Sequence, residues 1–343
     1  MKIGLVGYQG GGKSSVFELL TAIKPDLSKA HTGQVAVAVL PDVRFDNLVK
    51  LFNPKKVTPA KIELFDTPGL SRTEPEENVA KMGVLRESDA LVQVVGVFNG
   101  ANPVQEVASF RDDMVLADLQ VVTNRIERLK TNIGKARPDR EQLIKELAAL
   151  EPIPARLNNG DMLHDMKFTE EQVQTTQSFS LLTRKDRLVI LNTAESDFDP
   201  DVVTQIESLG LRVVHGPVGL ELELQALPED DRRVFAEEMG LKESCKDQII
   251  AAIFLVTDQI LFFTSDEKEV RAWLLKRGST AVEAAGSIHT DLARGFIRAE
   301  VMNVEDLLRL GSEREVKAAG LHHVVAKDYI VKDGDEIVVR FSV

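Results

Sequence analysis

A short apolar strand, Lys2–Val6 (KIGLV), runs straight into Gly7-Tyr8-Gln9-Gly10-Gly11-Gly12-Lys13-Ser14, and an amphipathic stretch, Ser14–Ile23, overlaps the end of that run. The eight residues match G-x-x-x-x-G-K-[ST], and a strand before with a helix after is the setting a phosphate-binding loop needs. Few folds accept this order. A strand that hands over at once to a helix must return to its sheet through a crossover, so the neighbouring strands are expected to be parallel. Gly10, Gly11 and Gly12 lack Cβ atoms, which lets backbone N–H groups curl around a phosphate. The helix N-terminus adds partial positive charge at the same point. Lys13 can reach β- and γ-phosphates, and the Ser14 hydroxyl can ligate Mg²⁺. Ser15 follows in the same first turn. These six residues, Gly10 to Ser15, are the expected phosphate cradle.

Two further motifs fall where such a loop would use them. Asp66-Thr67-Pro68-Gly69 ends the apolar run Lys61–Phe65. An acidic residue there can hold the hydration shell of Mg²⁺ opposite Ser14, and the Gly69 N–H can sense a γ-phosphate. Many nucleotide switches place glutamine next, to orient the attacking water. This chain has Leu70, which can neither accept a proton nor hold a water. Lys13, Gly69 and Leu70 are the residues expected at the reacting phosphate, with slow intrinsic hydrolysis or another water-positioning group to match. Asn192-Thr193-Ala194-Glu195 ends a third apolar run, Arg187–Leu191, and gives N-x-x-E where guanine-specific loops carry N-K-x-D. The longer Glu195 and the missing lysine weaken guanine selection, because guanine is read by a carboxylate on its N1–H and N2–H₂ and adenine offers neither donor. Asn192, Thr193 and Glu195 are expected to line the base.

Apolar runs at Lys2–Val6, Lys61–Phe65, Ala90–Phe98, Arg187–Leu191 and Leu211–Val214, separated by helical patterns, read as buried strands of a doubly wound α/β domain. From Asp112 the pattern is helical. Val115, Leu119, Val122, Ile126, Leu129 and Ile133 form an alternating four- and three-residue seam. A second run, Arg140–Leu150, follows, with a third near Thr169–Leu182 and an exposed tip at Asn158–Asn159–Gly160. We read an inserted antiparallel helical hairpin. The last residues change character. Strand-like runs at Ile260–Thr264, Val270–Leu275, Phe296–Met302, Tyr329–Val331 and Glu336–Phe341 surround one helical segment, Thr280–Asp291, as in a small α+β domain. The expected division is 1–111 with 183–257 for nucleotide binding, 112–182 for the helical insertion, and 258–343 for the C-terminal domain.

Composition narrows the function classes. The chain has 343 residues, 43% hydrophobic and 28% charged, enough apolar material for several cores and unlike a disordered protein. A net charge of −12 excludes a polycation that coats nucleic acid, and no DNA partner is expected. One cysteine, Cys245, excludes an intramolecular disulfide and fits a reducing cytosol. The longest apolar stretch, Ile249–Val256, is too short for a membrane span, and no leader segment is visible, so a cytoplasmic protein without a membrane partner is expected. Lys268, Arg271, Lys276 and Arg277 interleave with Phe262, Phe263 and Trp273, a pattern that suits either RNA stacking or core aromatics under a solvated face. His215, at a strand end near the base motif, is a further residue within reach of a nucleotide.

These motifs carry a resemblance over nearly the whole chain. Phe262–Val301 and Lys327–Val343 are the most specific stretches, joined by Pro41–Asp66, Leu116–Leu129, N-x-x-E at Asn192–Glu195 and the hydrophobic Leu70. The chain resembles the YchF or Obg-like ATPase family. The resemblance implies a P-loop NTPase domain of Obg-like type, an inserted helical hairpin, and a C-terminal TGS domain of ubiquitin-like β-grasp fold. It also implies Mg²⁺ as cofactor, hydrolysis of ATP in preference to GTP, and association with the ribosome or structured RNA. The departures cluster at the nucleotide. The family's G-x-P-N-V-G-K-S-T is GYQGGGKSS here, D-I-A-G-L is DTPGL, a glycine-rich stretch is replaced by Ser71–Gly83, and the loop Phe98–Pro103 lacks the family's histidine. A GTPase of the same fold, a nucleotide-binding ribosome or RNA adaptor with negligible turnover, and a P-loop kinase remain alternatives.

Overall fold

Strands buried on both faces need apolar residues at nearly every position, and the central strands of the first sheet meet that demand. In a computed structural model, which describes residues 1–73, 75–100, 102–135, 138–194, 199–239 and 244–342, β1 (Lys2–Val6), β2 (Gln34–Val39), β4 (Lys61–Asp66), β5 (Ala90–Gly96), β6 (Arg187–Asn192) and β7 (Arg212–Gly216) form one sheet in the order β2-β4-β1-β5-β6-β7. The pairs β1–β4, β1–β5, β5–β6 and β6–β7 are parallel. Every residue of β5 and β6 is buried. The five expected strands are all present, β5 stopping at Gly96 before a short turn of 3₁₀ helix. Strand β2 was not foreseen. It alternates, with Ala36 and Ala38 inside and the larger Val35, Val37 and Val39 exposed, the reverse of the usual size rule.

The chain divides into two compact units: residues 1–36 with 63–256, and residues 37–62 with 257–343. In the first, helix α1 (Lys13–Thr21) leaves β1 and α3 (Pro75–Leu85) precedes β5, whereas α2 (Val43–Phe52) is part of the second. Helix α4 (Pro103–Ile133) starts where Asn102 caps it, accepting from the Val104 and Gln105 N–H groups, with Pro103 in the first turn. The boundary expected at 111/112 therefore falls inside a continuous helix. Phe110 and Met114 of its first turns pack against the sheet beside Val6 and Leu91. Its later seam closes on α5 (Arg140–Leu150) and α6 (Ile153–Asn158), where Val122, Ile126 and Leu129 meet Leu150, Ile153 and Leu157, and α7 (Glu170–Thr176) packs on α5, its Gln172 amide donating to the Ala149 carbonyl. The expected tip at Asn158–Gly160 is elsewhere. Gly160 lines a cavity with Val107, Ala108 and Arg111 of the start of α4, so this bend lies at the base of the helices.

The second unit is an α+β body. Its sheet runs β11-β10-β12-β8-β9-β3, from β3 (Lys56–Thr58), β8 (Gln259–Ser265), β9 (Glu269–Lys276), β10 (Phe296–Asn303), β11 (His323–Val325) and β12 (Asp335–Phe341). Residues 37–62, expected with the nucleotide domain, pack here. Strand β3 is parallel to β9, Lys56 pairs with Glu269 at 3.0 Å, and Arg44 pairs with Asp333 at 2.7 Å. Thr280 caps the helix Ala281–Ile288 in a capping box with Glu283. Tyr329–Val331 is not a strand. It keeps one bridge, Ile330 to Thr280, and the edge of the sheet is His323–Val325 instead. Phe262 and Phe263 are fully buried, and Trp273 stacks on Phe262 at 6.1 Å between ring centroids. These rings are core, and Arg271 lies over Trp273. Among the described residues, no helix is long and apolar enough to cross a membrane.

Candidate functional site

The loop between β1 and α1 is closed by backbone, not by side chains. Gly7 has φ +130°, and a Cβ there would lie 2.6 Å from the Val94 carbonyl oxygen of β5. Gly12, with φ +92°, is the N-cap of α1, and a Cβ there would overlap the Asn192 amide. Both positions therefore need glycine, for conformation and for space. Lys13 opens the helix and is 7% exposed, its Nζ donating to the Tyr8 carbonyl at 3.0 Å. Burial lowers its pKa to about 8, against the opposing charges of Asp66 and Glu106. Ser14 Oγ donates to Asp66 Oδ2 at 2.8 Å, and Ser15 stands half-buried in the same turn.

Asp66 ends β4 with its second oxygen, Oδ1, buried and without a hydrogen-bond partner. Burial pushes this carboxyl above its usual range, and the Ser14 hydrogen bond and the Lys13 charge hold it back. A buried, unpartnered carboxylate oxygen beside a hydroxyl fits a hard divalent cation such as Mg²⁺. Among the described residues no cluster of three or more His, Cys, Asp or Glu side chains is placed for a metal. Such an ion would complete its shell with water and phosphate oxygens, as Mg²⁺ prefers.

The segment after Asp66 is pinned to the P-loop. Leu70 N–H donates to the Gly7 carbonyl at 3.1 Å, and Gln9 N–H donates to the Leu70 carbonyl at 2.9 Å. Gly69 faces the ammonium: a Cβ there would lie 3.0 Å from Lys13 Nζ. Leu70 departs from expectation. Its side chain is 1% exposed and packs among Val6, Tyr8, Met82 and Leu85, so it is held in the core and not at the phosphate cradle. An apolar side chain beside this sheet core is more stable buried than facing a phosphate.

Asn192 and Thr193 are 4% and 6% exposed. The Asn192 amide donates to the Gly11 carbonyl at 3.3 Å, and the Thr193 N–H donates to Gly216 at 3.0 Å. Asn192 is thus a strut between the base loop and the phosphate loop. Glu195 lies outside the described residues. His215 is exposed near the end of β7.

With this geometry in place, comparison with known proteins becomes specific. Residues 2–125 match the family model for the 50S ribosome-binding GTPase, and residues 259–342 match the YchF-GTPase C-terminal model, described as a protein of unknown function. The ribosome-binding ATPase YchF of Bacillus subtilis is 30% identical over 99% of both chains. That of Escherichia coli O157:H7 is 32% identical over 100% of this chain and 99% of its own. The chain belongs to the YchF/Obg-like ATPase family. Obg-like ATPase 1 of Oryza sativa subsp. japonica is 30% identical over 100% of this chain and 92% of its own. The fold agrees as well: the Schizosaccharomyces pombe YchF GTPase superposes with a TM-score of 0.80 over 99% of this chain and 97% of that one, at 23% identity.

Within this YchF-type frame, one polar network escaped the sequence reading. Arg72 donates to the Gln9 carbonyl at 2.6 Å, pairs with buried Glu106 at 2.6 Å, and lies over the Tyr8 ring at 5.3 Å. Tyr8 OH donates to Asp113 at 2.8 Å. Burial, then the Asp113 bond, raises the Tyr8 pKa far above its ordinary value, and burial also raises Asp113. These groups line a cavity of about 630 Å³ that Ser71, Asn78, Asn102 and Gln105 help to close. The available signal was Arg72 itself, three residues beyond the D-x-x-G glycine and so within reach of the P-loop. Its partners lie in the P-loop and, with Glu106, on α4, far apart in sequence, and leave no local pattern.

Proposed function

We propose that the chain is a Mg²⁺-dependent P-loop nucleoside triphosphatase that favours ATP over GTP and works with the ribosome in the cytoplasm. One observation carries the reading. The Lys13 ammonium, the Ser14–Asp66 pair with its unpartnered oxygen, and the N-terminus of α1 converge on one point. In this reading Gly10, Gly11, Gly12, Lys13, Ser14 and Ser15 hold the phosphates, Ser14 and Asp66 hold Mg²⁺, and Asn192, Thr193 and Glu195 line the base. Gly69 offers its N–H to the γ-phosphate. When bound, Mg²⁺ neutralises charge on the phosphate oxygens. Loop N–H groups and Lys13 fix the triphosphate and oppose the charge that grows as water attacks the γ-phosphorus. The γ-phosphorus leaves the bridging oxygen, and nucleoside diphosphate and inorganic phosphate are the products. Residues 112–182 would serve as a partner-facing insertion, and residues 258–343 as a TGS-type β-grasp domain.

ATP preference is supported by the N-x-x-E sequence and by relatives named as ATPases. A ribosomal partner is supported by relatives named as ribosome-binding. A GTPase is the second reading, supported by the match of residues 2–125 to a GTPase family model. Phosphate release from ATP and GTP, with and without ribosomes, tests the proposal. Mg²⁺-dependent release from ATP is expected. Ribosome co-sedimentation with no release from either nucleotide would replace it with an adaptor.

The lysine also sets a pH dependence. Its free-state pKa of about 8 must rise when phosphate replaces part of the lost hydration, since a nearby anion favours the ammonium. Below pH 8 the ammonium is already present and binding takes up no proton there. Above pH 8 binding should take up about one proton per site, and affinity should fall as pH rises. Calorimetry at pH 9 in buffers of different ionisation enthalpy measures this. No proton uptake at pH 9 would mean that Lys13 is not neutralised by burial.

A further inference from the structure

We propose that Gln9, within the P-loop itself, is the side chain that holds the attacking water. The inference rests on the triphosphatase reading and names a catalytic residue for it.

Leu70 cannot take this role. Its side chain is fully enclosed in the sheet core, and its backbone bonds to Gly7 and Gln9 hold it there. The same bonds bring Gln9 forward. A Cβ on Gly69 would lie 2.9 Å from Gln9 Cγ and 3.0 Å from Lys13 Nζ, so the glutamine stem and the ammonium flank one point above Gly69. That is where Lys13 would hold the γ-phosphate. The Gln9 backbone is fixed from both sides, its N–H on the Leu70 carbonyl and its carbonyl on the Arg72 guanidinium at 2.6 Å. Its side chain is exposed, and its amide has no hydrogen-bond partner among the described residues. A fixed Cα with a free amide is the arrangement a water-positioning group needs.

Three nearby asparagine amides are committed elsewhere. Asn192 donates to Gly11, Asn102 caps α4, and Asn78 bonds the Ser71 backbone in both directions. Glutamine suits the task because its C=O accepts from water while its NH₂ donates to a phosphoryl oxygen. The water oxygen bonds to the γ-phosphorus, the bond to the bridging oxygen breaks, and nucleoside diphosphate leaves with that electron pair. The water's proton passes to a phosphate oxygen, and Gln9 gains and loses none.

The test is single-turnover ATP hydrolysis by wild type, Gln9→Ala, Gln9→Leu and Gln9→Asn, with ATP affinity measured for each. Loss of at least tenfold in rate for the first two, with affinity within threefold of wild type and partial recovery in Gln9→Asn, is the expected pattern. Wild-type rates in Gln9→Ala would overturn the proposal and leave the triphosphatase reading standing. Faster hydrolysis would overturn it too, by making Gln9 an obstruction. A wild type that binds ATP without turning it over would overturn the triphosphatase reading and this proposal with it.

Discussion

Lys13→Ala should weaken ATP binding roughly 10- to 150-fold, the 1.5–3 kcal/mol typical of a hydrogen bond to a charged group, and should lower turnover further. The ammonium is buried beside the phosphate loop and, among the described residues, its one hydrogen bond is to the Tyr8 carbonyl. It is therefore held ready at little cost in side-chain ordering. Charge on the γ-phosphoryl oxygens grows as the reaction proceeds, so a fixed cation contributes more to the transition state than to the ground state. Fold should not suffer, because removing a buried ammonium relieves its own desolvation. Equal affinity and turnover in the variant, measured with ATP and Mg²⁺, would contradict the assignment of this loop.

Asp118→Ala should destabilise the first unit by about 3–5 kcal/mol, the range found when one partner of a buried ion pair is removed. Asp118 is wholly buried on α4. It accepts from Arg86 at 2.6 Å, from the Leu182 and Thr183 N–H groups at 3.1 and 2.8 Å, and from Thr183 Oγ1 at 2.7 Å. One carboxylate thus ties α4 to the connection between α3 and β5 and to the turn that leads back into β6. Its loss would leave a guanidinium and three further donors without their acceptor. Asp118→Asn keeps part of the set and should cost less. Urea unfolding followed by hydrogen exchange at β6 would report the change, and a loss under 1 kcal/mol would show that water replaces the carboxylate.

Physical causes separate what was legible from what was not. The P-loop, the D-x-x-G strand end and the central strands were readable because each rule is local: a phosphate cradle needs consecutive small residues, and doubly buried strands need unbroken apolar runs. Strand β3 is three residues long, too short for any periodicity, so its placement with the second unit left no trace in the sequence. Tyr329–Val331 has strand composition, yet its backbone is used in turns and one bridge. The start of α4 was signalled by Asn102-Pro103, a cap and first-turn pair that the heptad seam obscured. Arg72, Glu106 and Asp118 owe their roles to partners more than thirty residues away, and burial of a charge has no sequence pattern until its partner is known. Leu70 shows the converse. Its side chain has no polar atom to hold water, and its packing in the core explains where it goes.

The central claim is that this loop binds a nucleoside triphosphate and that the Asn192 strand end reads its base as adenine. Calorimetric titration of ATP and GTP side by side, with Mg²⁺ present, tests both parts at once. The account predicts ATP binding at least tenfold tighter, a difference of about 1.4 kcal/mol. GTP binding tighter by that margin, or no binding of either nucleotide, would contradict it.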